Sequence, residues 1–76
     1  MNKATRVAIE KIVNALEALG DEVESLRDDE QEKFDNAPEG LEGSKRYAAI
    51  EAAADNLDTA HDNITEAIEA LRAAME

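Results

Sequence analysis

The apolar positions of the chain fall into two long repeats with a break between them. From Tyr47 to Met75 the apolar or uncharged residues are Tyr47, Ile50, Ala54, Leu57, His61, Ile64, Ile68, Leu71 and Met75. Their spacing alternates strictly between three and four, the heptad seam a helix needs if one narrow stripe is to face a partner helix. The first half carries the same rhythm at Ile9, Ile12, Leu16, Leu19, Val23 and Leu26, with Val13 widening the stripe. After Leu26 the seam turns polar: Glu30 and Lys33 take the next positions, and Phe34, one residue later, is placed to plug the end of the core. The pattern predicts one all-α domain over 1–76, with a first helix over about 4–35, a loop over 36–43 and a second helix over about 44–75.

The punctuation agrees with these boundaries. Asn2 or Thr5 is a suitable N-cap for the first helix, because its side-chain oxygen can accept from an orphan backbone N–H. Pro38 disfavours helix at Ala37 and removes a donor, so the first helix should stop near Asn36. Pro38, Gly40 and Gly43 mark a turn, and Ser44 is the expected cap of the second helix. Leu41 is expected to fold back onto Phe34 and Tyr47. Gly20 interrupts the first helix at a cost of up to about 1 kcal/mol against alanine. It reads as a tolerated or close-packing glycine, with a hinge as the other possibility.

The two seams can be laid against each other as an antiparallel hairpin. One register pairs Ile9 with Leu71, Ile12 with Ile68, Leu16 with Ile64, Leu19 with His61, Val23 with Leu57 and Leu26 with Ala54. The fold expected is a long antiparallel helical hairpin, a two-helix coiled coil with arms of about 30 residues, roughly 45 Å. Ala53, Ala60, Ala67 and Ala74 recur every seven residues beside the second seam, and Ala8 and Ala15 match them on the first. Two hairpins are expected to pair into a four-helix bundle across this alanine flank. A monomer with tight alanine packing is the alternative.

Composition narrows the function classes. A chain of 76 residues has a marginal core unless its packing is regular or it oligomerises. Without cysteine, neither disulfides nor thiol chemistry are available. Glu10 and Lys11 break the apolar run that a secretion signal would need, and no stretch is long enough to span a bilayer. A cytoplasmic protein is expected. Nineteen acids oppose eight bases, a net charge of −11, which repels nucleic acid and anionic membranes and suits a basic partner, a cation or plain solubility.

The acids form stripes. Glu17, Asp21, Glu24, Asp28, Glu32 and Asp35 follow helical spacing on the first helix, and Glu51, Asp55, Asp58, Asp62, Glu66 and Glu69 do so on the second. Neighbours in such a stripe stand about 5–6 Å apart and repel by a few tenths of a kcal/mol per pair. Between Asp21 and Glu42 only Arg27 and Lys33 offset ten acids. Water-facing acids arise on any exposed helix, but this imbalance has a cost and no evident structural benefit. The spacing is comparable to that of phosphates along a strand, so two stripes on one rod can imitate a duplex in a Lys/Arg groove. The candidate partner contacts are Asp21, Glu24, Asp28, Asp29, Glu32, Asp35, Asp55, Asp58 and Asp62.

No metal or cofactor is expected. A di-iron bundle needs Glu-x-x-His pairs, and the only histidine, His61, follows Asp58 at that spacing. A calcium loop needs closely spaced oxygen ligands, which 36–43 lacks. His61 sits at a seam position, where it can fix register or, because imidazole titrates near neutrality, sense pH. Ser25, Ser44, Thr59 and Thr65 show no triad arrangement, so an enzyme is not expected.

The run Leu26 to Leu41, LRDDEQEKFDNAPEGL, followed by Gly43 and Ser44, resembles a segment of small acidic helical proteins of phages and prophages. The likeness covers about 20 residues around the bend; the flanking helices match only in composition. It implies an inhibitor of host defence, anti-CRISPR proteins that imitate nucleic acid among them, acting in the host cytoplasm on a basic nucleic-acid-binding protein such as a CRISPR effector. A helical assembly module, with the acids serving solubility, is the alternative.

Overall fold

The computed structural model describes residues 1–37 and 45–76. Two α-helices make up the described chain, α1 over Lys3–Asp35 and α2 over Lys45–Ala74. Asn2 opens α1 from extended backbone, and its Oδ1 accepts the Thr5 N–H at 2.8 Å. That contact satisfies one of the donors every helix start leaves unpaired. At the other end the Asn36 N–H still reaches the Glu32 carbonyl at 2.9 Å, and the helix stops ahead of Pro38. The expected cap at Ser44, the turn at Pro38, Gly40 and Gly43, and the return of Leu41 lie outside the described residues.

The helices pack antiparallel along a rod of 59 × 15 × 13 Å. Where α1 finishes and α2 begins, Phe34 stacks on Tyr47 with ring centroids 4.3 Å apart and planes inclined by 30°. This pair closes the core, as the position of Phe34 suggests. Further along, Gly20 faces Ile64, and beyond it Arg72 reaches back to Glu17.

On α2 the shielded residues are those of the predicted seam, Tyr47 through Met75, together with Ala53 and Ala60 beside it. On α1 the helix is rotated from expectation. The shielded residues are Ile9, Val13, Leu16, Gly20, Val23, Arg27, Glu30 and Phe34. Ile12, Leu19 and Leu26, expected inside, are 49%, 50% and 55% exposed. The register moves as well. Ile64 was to meet Leu16, but Gly20, one turn later, lies against it. Ile9, Leu16 and Val23 belong to both readings, so only the second row was ambiguous. Gly20 lets the backbones approach, and the observed rotation brings Arg27 onto Asp58 and Glu17 onto Arg72 of α2.

The core that results is thin. Among the described residues, the buried apolar side chains are Val13 at 1% and Ala54 at 4% exposure. Gly20 is buried too, and a Cβ built there would stand 3.4 Å from Ile64 Cγ2, an ordinary contact. Gly20→Ala is therefore expected to stabilise the protein by about 0.5–1 kcal/mol, through a lower entropy of the unfolded chain. Thermal unfolding followed by circular dichroism should show a midpoint several degrees higher; a lower midpoint would mean the close approach tolerates no methyl.

Candidate functional site

The observed rotation fixes which side chains share a side of the rod. On α1 the core rows are a (Val13, Gly20, Arg27, Phe34) and d (Ile9, Leu16, Val23, Glu30); on α2 they are a (Tyr47, Ala54, His61, Ile68, Met75) and d (Ile50, Leu57, Ile64, Leu71). In an antiparallel pair the e flank of one helix runs beside the e flank of the other, and g beside g. The cross-helix polar contacts agree. Arg72 meets Glu17, e to e. Arg27 Nη1 lies 3.2 Å from Asp58 Oδ1, and His61 Nε2 lies 3.7 Å from Glu24 Oε2, each joining an a position to an e position. All three sit on one side.

That side is acidic. Glu24 and Asp58 lie on the e flanks, and Asp21, Asp28, Asp35, Asp55 and Asp62 lie just behind on b. Glu32 is on the back of α1. Asp29 stands apart, at a c position with Glu22 on the g-flank side. All nine predicted contact residues are exposed. Apart from Glu32 and Glu66, at the back of their helices, the two acidic stripes, read separately from the sequence, thus run side by side on one face.

Arg27 is the basic centre of this face. Besides Asp58, its Nε lies 3.0 Å from Asp28 Oδ1, out of line for a hydrogen bond although Nε is enclosed, and its Nη2 lies 3.9 Å from Glu24 Oε1. The carboxylates are about half exposed or more, so screening holds each pair to about 1 kcal/mol or less. The aliphatic stem fills a core position and contributes by packing. Arg27→Met, which keeps the stem, is expected to change stability by less than about 0.5 kcal/mol. Arg27→Ala should cost about 1–2 kcal/mol. Urea unfolding of the two variants separates packing from charge; equal losses would make the charge dominant.

The missing side chain of Gly20 leaves an open groove of about 270 Å³, lined by Glu17, Asp21, His61, Ile64, Thr65 and Ile68. The Thr65 hydroxyl is turned back onto the His61 carbonyl at 3.1 Å. Among the described residues no group of three His, Asp or Glu side chains is placed to hold a metal ion. No helix among them is long and apolar enough to cross a membrane.

The opposite side is apolar. The g flank of α1 carries Ile12, Leu19 and Leu26, and the g flank of α2 carries Ala53, Ala60, Ala67 and Ala74. Ala53 and Ala60 are half-buried, Ala67 and Ala74 exposed. The alanine row was read from the sequence as an interface. The Ile12–Leu19–Leu26 row beside it was assigned to the core. The signal that separates the two was the third apolar row on α1: a two-helix seam needs two rows, whereas a helix with two neighbours needs a wider stripe.

No family model, no curated protein and no solved structure matches the chain.

Proposed function

We propose that this chain is a non-enzymatic binding protein of the inhibitor type. It pairs with a second copy through its apolar side and presents its acidic side to a basic, nucleic-acid-binding surface of another protein. One observation carries the reading: both carboxylate stripes lie on one long face, opposite the apolar face. Acids placed only for solubility have no reason to avoid the g flanks, whereas acids that must leave one face free for a partner helix and fill another do. A row of carboxylates at phosphate-like spacing along a 59 Å rod can occupy a groove that otherwise holds a strand or duplex. The resemblance of residues 26–44 to phage proteins points the same way, toward a host nucleic-acid-binding protein such as a CRISPR effector.

Capture from a bacterial lysate at low and at high salt, with duplex DNA as competitor, tests the reading. A nucleic-acid-binding protein released both by salt and by duplex supports it, because exposed charges are screened beyond about 8–10 Å at physiological ionic strength. Capture that withstands salt and ignores duplex contradicts it and favours an assembly role for the apolar face.

A further inference from the structure

The apolar face also specifies how the two copies lie. We infer that a second copy of this chain covers it with the two-fold axis along the rod, so that both α1–α2 connections sit at the same end and each α1 lies over the partner's α2. The inference rests on the dimer reading above and adds its geometry. The need for a cover is quantitative. The chain exposes 5525 Å², whereas a compact folded chain of 8.3 kDa exposes about 4,600 Å². The excess, roughly 900 Å², is close to the 800 Å² or so that each partner buries in a standard stable interface.

Shape then chooses between the two possible axes. The face carries large residues on one helix, Ile12, Leu19 and Leu26, and small ones on the other, Ala53, Ala60 and Ala67. An axis along the rod sets the large row over the partner's small row, so the layers interdigitate. A perpendicular axis, with connections at opposite ends, sets large on large and small on small. It leaves one bulky and one thin seam.

The polar residues at the rim decide the same way. With Gly20 level with Ile64, the c positions of α1 and α2 stand in matched levels. The axis along the rod brings Glu22 to the partner's Asn63 and Asp29 to the partner's Asn56, carboxylates to amide donors. Ala15 then meets the partner's Ala70. The perpendicular axis sets α1 against the partner's α1, whose c positions are Ala8, Ala15, Glu22 and Asp29 and offer no side-chain donor. This also gives Asp29, the one predicted contact residue on the g-flank side, a role at the interface rim.

The chain has no cysteine, so Asn36→Cys carries a single spin label at the end of α1. Double electron–electron resonance is read alongside the mass from sedimentation equilibrium. A dimer with a label separation below about 30 Å, a few helix diameters, is the expected result. A dimer with a separation near 50 Å, about 34 residues of helix at 1.5 Å rise, overturns the orientation and leaves the dimer standing. A monomeric mass overturns both. Lys3→Cys, in the first turn of α1, gives the same contrast should the label at Asn36 disturb the helix end.

Discussion

Leu19→Glu is expected to abolish pairing and, with it, most of the helical structure at micromolar concentration. In the lone hairpin Leu19 is 50% exposed, and a polar substitution at such a site ordinarily changes stability by about 0.5 kcal/mol. If the hairpin were self-sufficient, the variant would melt within a few degrees of the parent. In the paired state Leu19 lies at the middle of the apolar face, and two charges would enter the interface, one from each copy. An unpaired charge removed from water costs several kcal/mol. A hairpin whose buried apolar side chains among the described residues are Val13 and Ala54 has little to fall back on. Circular dichroism together with sedimentation reads both quantities. Ser25→Glu, on the exposed back of α1, is the control and should leave mass and helicity unchanged.

Asp21→Lys, Asp55→Lys and Asp62→Lys, combined in one variant, are expected to weaken binding to the basic partner by at least a hundredfold. All three lie on the acidic side behind the e flanks, and all are exposed. Facing a Lys/Arg surface, each reversal exchanges an attraction for a repulsion, worth about 1 kcal/mol or more; three together exceed the roughly 2.7 kcal/mol that a hundredfold change represents. The variant should still pair and fold. The reversals cut the net charge of −11 by more than half and relieve repulsion between neighbours at i,i+4. Lost helicity would send the acids back to a structural role; intact partner binding would leave the acidic face as solvation alone. The salt dependence of the parent complex should be steep, and that of any residual complex shallower.

How much of this was legible before the structure differs between the helices. α2 was read in the right frame because its seam is unique: the flanks of Ile50, Leu57, Ile64 and Leu71 are alanine, threonine or charged residues, and no second row of large apolar residues competes. α1 offers two apolar rows beside the shared row Ile9–Leu16–Val23. Ile12–Leu19–Leu26 is the more hydrophobic, so composition placed it inside. The helix instead turns Val13, Gly20 and Arg27 inward. Hydrophobicity alone cannot make that choice. It depends on how closely Gly20 lets α2 approach and on where Arg27 and Glu17 find opposite charges across the seam. The acidic stripes were each legible from helical spacing. Their union on one face was not, because it follows from the rotation of α1. Asp29 shows the limit at a single residue: adjacent in sequence to Asp28, it falls on the other side.

The mass of the parent chain in solution, measured over a dilution series with melting followed in parallel, tests the two-faced rod most directly. Pairing through the apolar side requires twice 8.3 kDa and a melting midpoint that falls on dilution, because dissociation is coupled to unfolding. A single 8.3 kDa species that melts cooperatively at a midpoint independent of concentration would contradict it: the exposed row Ile12–Leu19–Leu26 would then be surface, and the hairpin would stand alone.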